Sequence, residues 1–330
     1  MNIAIVILNW NGRSLLEEFL PSVTEYSKEA IVYVADNAST DTSISYVRKH
    51  FPEVKIVVNK SNGGYAKGYN DALSKIDADI YCLLNSDVEV TKNWLVPIQN
   101  AFLGSNRIAA IQPKILDYKK KTHFEYAGAA GGYIDRLGYP YCRGRLFETI
   151  EEDTGQYNDS VPIFWASGAC LFIRKVIFEE AGKFDEDFFA HQEEIDLCWR
   201  IHNLGYSIHY IGESVVYHLG GATLNAMNPK KTFLNFRNSL FMLLKNAPGN
   251  SLWFLIPIRM TLDGLAATRF IVQGKTSHFS AIFKAHMSFY ANFVNFVKKR
   301  QKLSKTGKYY SFFSVVWQYF IKKNKHFNQL

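Results

Sequence analysis

The stretch LLNSDVEV, residues 83 to 90, is an apolar run that stops in a polar knot of Asn85, Ser86 and Asp87. Three other apolar runs end in a similar way. Asn9, Trp10, Asn11 and Gly12 follow the first, DNASTD (36 to 41) follows the second, and NKSNGGYAKGYN (59 to 70) follows the third. Farther along, the aromatics Phe188 and Phe189 lead into the acids Glu193, Glu194 and Asp196, and VVY is followed by His218. Amides, carboxylates and an imidazole at the ends of apolar runs suit a polar ligand and proton transfer. They do not suit zinc or disulfide chemistry, because Cys82, Cys142, Cys170 and Cys198 lie far apart with no C-x-x-C spacing. SNGGYAKG has neither the G-x-G-x-x-G nor the Walker A spacing, which removes the nicotinamide and P-loop readings.

Each feature also has a purely structural explanation. DNAST followed by Asp41 makes a turn and a helix N-cap, and SNGGYAKG makes a flexible loop whose glycines allow positive φ. Acids in a first helical turn favour the helix dipole, and Asp196 and Arg200 stand at i and i+4. These explanations do not account for four polar ends occurring together, nor for acids placed directly after an aromatic run.

The elements that carry these residues follow from periodicity. IAIVIL (3 to 8), AIVYVAD (30 to 36), VKIVVN (54 to 59) and DIYCLLN (79 to 85) are short and rich in Val, Ile and Leu, as strands covered on both faces are. Helical patterns separate them at Ser14 to Tyr26, Ser43 to His50 and Tyr69 to Lys75. This β-α order predicts an α/β fold with a doubly wound, mainly parallel sheet, whose ligands bind at the carboxyl ends of the strands. In the stretch from Trp165 to Tyr206 a small-residue turn precedes a strand, and the acids then open a helix. The glycine- and tyrosine-rich stretch 126 to 145, with Arg136, Arg143 and Arg145, reads as a long loop over the site.

VILNWNG, VADNASTD, NGGYAKGYN and LLNSDVEV, in this order and spacing, resemble the nucleotide-sugar half of the family 2 inverting glycosyltransferases with the GT-A fold, and most of all their bacterial rhamnosyltransferase-like members. The resemblance implies a catalytic domain over 1–228, with a nucleotide-sugar half (1–105) and an acceptor half (106–228). It implies that Asp36 holds the nucleobase of a UDP- or dTDP-sugar in a cleft lined by Asn9 and Asn11. A carboxylate accepting a base N–H is a charge-assisted bond, which favours Asp over Asn. It puts the family's D-x-D position on Asn85, Ser86 and Asp87, with Asp87 binding Mg²⁺ or Mn²⁺ across the diphosphate and Asn85 contacting the ribose or a metal-bound water. Lys67 and Asn70 would reach the nucleotide or phosphates, unless Lys67 is simply solvated. His218 would sit beside the diphosphate and metal, or serve as a structural histidine. Trp165, Ser167 and Gly168 would line the sugar or acceptor pocket, with a packed core tryptophan as the alternative. Inverting transfer needs one carboxylate as base. By position that is Glu194, where many relatives carry Asp, with Glu193 and Asp196 as the other candidates.

The charge is divided along the chain. Residues 1 to 229 carry 21 Lys and Arg against 29 Asp and Glu, a balance of −8, whereas 230 to 330 carry 17 against the single Asp263, a balance of +16. A basic, aromatic-rich helical extension is therefore expected over 229–330. In it, Phe279, Ile282, Phe283, His286, Tyr290, Phe293 and Val297 fall close to one helical face, and no uncharged run reaches the ~18 residues that span a bilayer. Such helices suit an anionic membrane surface, and so a lipid-linked glycan acceptor; packing on the catalytic domain or on a second subunit, as in a homodimer, is the alternative. The acidic first part and the lack of any binding signature argue against nucleic acid. The start MNIAIVILNW carries no signal-peptide pattern, so a cytoplasmic protein peripheral to the inner membrane face is expected. A sugar-binding protein of the same fold without turnover is the second reading. A nucleotidyltransferase is a weaker third, because NWNGRSLLEE lacks the Gly-rich basic loop it would need after the first strand.

Overall fold

The computed structural model describes residues 1–220, 228–249, 252–300 and 308–330. Strand β1 (Ile3–Asn9) leads through α1 (Arg13–Tyr26) to β2 (Ile31–Asp36), then α2 (Ser43–His50), β3 (Lys55–Val58), α3 (Gly64–Leu73) and β4 (Ile80–Asn85). β1 is buried along almost its whole length, as a strand with helices on both sheet faces must be. Helix α1 buries Leu16, Phe19, Leu20 and Val23, a stripe at helical spacing against one face of the sheet. β1 pairs in parallel with β2 on one side and β4 on the other, so the strand order reverses beside β1. The register sets Asn9 beside Asp36 and Leu8 beside Asn85, which lines three polar side chains along the carboxyl edge at this reversal.

The second half extends the same sheet. After β5 (Val88–Val90), α4 (Leu95–Gly104) and β6 (Ile108–Asp117), four strands of two or three residues, β7 (Gly132–Ile134), β8 (Pro140–Cys142), β9 (Arg145–Leu146) and β10 (Thr149–Ile150), form a separate small sheet. The stretch 126 to 145, expected to be a long loop, thus contains paired strands, too short to show a period in the sequence. There follow β11 (Ser160–Ile163), β12 (Cys170–Arg174), α5 (Lys175–Glu180), α6 (Glu193–Asn203) and β13 (Ser207–His218). The main sheet runs β3-β2-β1-β4-β12-β6-β13-β11, with β12 antiparallel to both its neighbours and β5 pairing on β13. That last pairing sets His218 opposite Val88, one residue after Asp87.

Two apolar clusters flank the sheet, one built with α1, α2 and α4, the other with α3, α5 and α6. The second cluster continues into α7 (Pro229–Asn246) and α8 (Leu252–Val272) and reaches Phe289 and Phe296 of α9 (Thr276–Lys299). Helix α3 begins five residues before the expected Tyr69. Gly64, at φ 79, lets the backbone come so close to the Phe189 carbonyl that a Cβ would lie 2.6 Å from it, and that carbonyl accepts from Tyr65 N at 2.9 Å. A distant chain segment therefore supplies the start signal.

Candidate active site

At the carboxyl edge of β1 and β2, Asn9 is fully buried, and its amide donates to Asp36 at 3.3 Å, Ser39 at 3.2 Å and Ser43 at 3.0 Å. Its Oδ1 has no partner, an uncommon state for a buried acceptor. Asp36 accepts from the Ser39 backbone at 3.1 Å, which closes the DNAST turn. Asn11, at φ 50, accepts from the backbones of Thr40 at 2.8 Å and Asp41 at 3.2 Å, and so fixes that loop against the end of β1.

At the end of β4, Asp87 and His218 are both buried, with the carboxylate 3.1 Å from Nε2. Glu125 stands 3.4 Å from Nδ1, and the Asn85 amide lies 3.4 Å from Nε2. Burial works against a charged imidazole here, but the bonds to Asp87 and Glu125 win and hold its pKa up to about 10. The position between the two carboxylates therefore holds a cation. Among the described residues no group of three or more His, Cys, Asp or Glu could enclose a metal ion. Asp87 fits a divalent ion whose remaining ligands come with phosphates and water, not one caged by protein alone, and His218 would join it only after giving up the proton that its two carboxylate partners hold on it.

The acids at the start of α6 sit on a contorted turn. Phe189, His191 and Gln192 all have positive φ, at 64, 70 and 73, a costly conformation for residues with a Cβ. Glu193 is buried, Glu194 is partly covered, and each keeps one buried oxygen with no partner. Loss of solvent raises the Glu194 pKa to about 7, despite backbone bonds that lower it. Glu193 is raised well above the usual range, first by burial and then by the charge of Glu194 beside it. The turn around Gly168 joins the two regions. Its carbonyl accepts from Tyr65 Oη at 2.8 Å, and the Ala169 carbonyl accepts from Asn85 N at 3.0 Å. Tyr65 in turn feels the charges of Glu193 and Glu194, so Tyr65 and residues 168–169 link the neighbourhood of the two acids to the end of β4.

The family model for glycosyl transferase family 2 matches residues 4–182, more than half of the chain. The chain belongs to this family. An N-acetylglucosaminyl-diphospho-decaprenol L-rhamnosyltransferase of Mycobacterium tuberculosis is 26% identical over 80% of the chain and 90% of its own length. A dTDP-rhamnosyl transferase of Shigella flexneri is 22% identical over 82% and 88%. Among solved structures, GalNAc-T7 with UDP, GalNAc and Mn²⁺ superposes with a TM-score of 0.60 at 14% identity, covering 89% of this chain and 57% of that one. A mannosyltransferase of Pyrobaculum calidifontis with GDP-Man and Mn²⁺ gives 0.52 at 16%, covering 91% and 84%. The protein is a glycosyltransferase with the GT-A fold.

Within this glycosyltransferase the expected site residues separate into two groups. Asn9, Asn11, Asp36, Asn85, Asp87 and His218 gather at the strand ends, and Glu193 and Glu194 open α6 within electrostatic reach of Tyr65. The others bind protein. Asp196 is wholly buried and accepts from Arg200 and Lys245 at 2.9 Å and from Asn246 at 2.7 Å. Asn70 donates to the Phe184 carbonyl at 2.9 Å and to Glu186 at 3.1 Å, and Lys67 pairs with Asp71 at 3.0 Å and Glu186 at 3.7 Å. Trp165 is buried, donates to the Tyr133 carbonyl at 2.8 Å and lies so flat on Gly132 that a Cβ there would be 2.1 Å from the ring. Ser167 donates to the Ala127 carbonyl and accepts from Ala169 N at 3.2 Å. Gly168 matters through its backbone, since a Cβ would lie 2.8 Å from Tyr65 Oη. Two members of the site escaped the sequence reading. Glu125 meets His218 across 93 residues of sequence, and Tyr65 was not singled out within NKSNGGYAKGYN. The only signal for Glu125 was an acid next to a run of small residues, AGAAGG.

Proposed function

We propose that this glycosyltransferase moves rhamnose, with inversion, from a nucleotide-diphosphate sugar such as dTDP-rhamnose to a hydroxyl of a lipid-linked cell-envelope glycan. The two rhamnosyltransferases that align along most of the chain support the sugar, and the decaprenol-linked acceptor named for one of them supports the acceptor class. The observation that carries the catalytic reading is Glu194: a carboxyl with an unpartnered oxygen and a pKa near 7, acting on Tyr65, whose hydroxyl bonds the 168–169 turn that also anchors the end of β4.

In this reading Asp36 and Asn9 hold the nucleobase by its polar edge, and Asn85 contacts the ribose. The diphosphate lies at Asp87. Ionised Glu194 takes the proton of the acceptor hydroxyl as its oxygen bonds the anomeric carbon from the face opposite the diphosphate. The bond from that carbon to the diphosphate oxygen breaks, and the electron pair leaves with the nucleotide. Burial and the charge of Glu194 disfavour the ionised form of Glu193, which makes it the poorer base. A Mg²⁺ or Mn²⁺ would be held by Asp87, and by His218 once its imidazole has released its proton, and would neutralise negative charge on the leaving diphosphate. The binding-only alternative leaves the raised pKa of Glu194 without a purpose.

The test is transfer and hydrolysis over a panel of dTDP-, UDP- and GDP-sugars, with and without Mn²⁺, for wild type, Asp87→Ala and Glu194→Gln. The expected outcome is metal-stimulated release of the diphosphate from a dTDP-sugar, loss of donor binding in Asp87→Ala, and retained binding without turnover in Glu194→Gln. Full activity in Glu194→Gln would move the base to Glu193.

A further inference from the structure

Helices α8 and α9 form an antiparallel pair. Trp253 and Phe293 rings lie 6.2 Å apart at one end, Tyr290 Oη is 3.5 Å from Met260 Sδ in the middle, and Phe270 stacks on His278 at 4.9 Å at the other. One side of α9 packs on the body of the enzyme through Ile282, Ala285, Phe289 and Phe296, the last stacked on Phe241 of α7 at 3.7 Å. The other side is apolar too, and it is open. Phe279, Phe283, Met287, Tyr290, Val294 and Val297 recur at spacings of three and four and are 38% to 65% exposed. α8 repeats the pattern with Phe254, Ile258, Leu265 and Val272, at 74%, 41%, 61% and 87% exposed. A second hydrophobic stripe on a helix already packed by its first is not needed for folding, and exposed apolar patches of this kind mark interaction sites.

Charge indicates what covers it. Arg269, Lys284 and Lys298 are exposed beside the stripes, while the only acid from residue 230 onward, Asp263, is fully buried with Arg259 at 2.9 Å. A second copy of the chain would bring these same basic flanks together. Among the described residues no helix is long and apolar enough to cross a membrane. We propose that the open face of the α8–α9 pair docks on an anionic lipid surface, with the aromatic and aliphatic stripes in the headgroup region and the basic flanks on the phosphates.

The inference goes beyond the transfer reaction but bears on it. From a flank next to its packed side α9 also reaches the loop that leads to the acids, with Asn295 donating to Asp187 at 3.1 Å and Lys299 at 2.7 Å. The docking face and the acid-bearing loop are thus separated by about one helix diameter, ~10 Å. A lipid-anchored acceptor would be met where its hydroxyl is needed.

The experiment is co-sedimentation of the full chain with vesicles of three parts phosphatidylcholine to one part phosphatidylglycerol, and with pure phosphatidylcholine. Wild type is expected to bind the anionic vesicles and to be released by high salt. Lys284→Glu/Lys298→Glu and Phe254→Ser/Phe283→Ser should each weaken binding at least roughly tenfold. Both variants should keep wild-type circular dichroism and donor hydrolysis, because none of these side chains lies in the site. Equal partition onto both vesicle types, or none onto either, overturns the proposal. So does a wild-type dimer in sedimentation velocity that Phe254→Ser/Phe283→Ser turns into monomer, which would give the face to a second copy. Since hydrolysis is read separately, failure of docking and failure of the rhamnosyltransferase reading are distinguishable.

Discussion

Adjacent carboxyls that have both lost solvent cannot both ionise cheaply, and Glu193 and Glu194 divide the roles that result. Glu194, raised to about 7, is half ionised near neutral pH, which suits a base that must accept a proton and then release it. As only its ionised form can act, kcat should rise with pH through about 7. Glu194→Gln should lower kcat by a factor of ~10²–10⁴ with donor affinity unchanged, as read by single-turnover kinetics and donor titration. Glu193 makes a separate prediction about stability. Its pKa is higher folded than unfolded, so the folded chain holds a proton that the unfolded chain releases above the ordinary value of 4.5. Stability must therefore fall as pH rises beyond that value. Glu193→Gln removes the penalty, so its melting temperature should exceed that of wild type at pH 8 and approach it at pH 4. A uniform shift at both pH values would show that packing alone had changed.

At the scale of elements, the turn that carries the acids is held by helix α7. Asn238, fully buried, aims its amide at three carbonyls, those of Phe188 at 2.9 Å, Ala190 at 3.0 Å and His191 at 2.7 Å, and Arg237 adds bonds to Asp187 and Phe188. Backbone strain of ~1–3 kcal/mol at each left-handed residue persists only where the surroundings insist on it, and here a single side chain supplies much of that insistence. Asn238→Asp keeps the shape but turns a donor against three acceptors. It should cut kcat at least ~10-fold, shift the pH profile of kcat, and leave donor KM within about twofold; a loss of kcat matched by the loss of folded protein in circular dichroism, with the pH profile unmoved, would mean general unfolding. None of this was legible in the sequence, because the bonds join residues some 50 positions apart. What was legible is what local periodicity encodes. The buried runs of β1, β2 and β4 and the boundaries of α1 and α2 emerge within a residue or two, and so does the polar edge of Asn9, Asp36 and Asn85. Asn70, expected to reach the nucleotide or phosphates, is bonded to Phe184 and Glu186, partners 114 and 116 residues away that the sequence could not bring to it. On α9 the sequence identified an apolar face but not that only part of it, around Ile282, is buried, since the helix carries two such faces.

Over the whole molecule, the opposite balances of the two parts of the chain meet in one network. Lys245 of α7 pairs with Asp185 at 2.7 Å and Asp196 at 2.9 Å, and Lys299 of α9 pairs with Asp185 at 2.6 Å and Asp187 at 2.7 Å. The basic helices are in this way fastened to both flanks of the acid-bearing turn, one of them at the foot of α6. Lys245 and Asp196 are buried, so the pair is not an ornament of the surface: without Lys245, Asp196 keeps Arg200 and Asn246 and Asp185 keeps Lys299, but two buried carboxylates lose a shared cation, at a cost of up to ~3–5 kcal/mol. Lys245→Met should therefore destabilise the whole chain by about that much at neutral pH in urea unfolding, although it deletes no apolar surface. Its pH dependence identifies the cause. Burial raises the Asp185 pKa, but Lys245 and Lys299 outweigh it and lower it from 3.8 to about 2, and Asp196 is lowered in the same sense. Groups with depressed folded pKa values contribute their stability above the unfolded value and lose it as pH falls through the folded one, so wild type gives up this contribution between about 4 and 2. The difference between Lys245→Met and wild type should be largest near pH 7 and shrink as the medium approaches pH 3, where the stranded carboxylates of the variant take up protons. A difference that stays constant over that range would mean that the lysine's aliphatic stem, not its charge, is what joins the basic helices to the catalytic sheet.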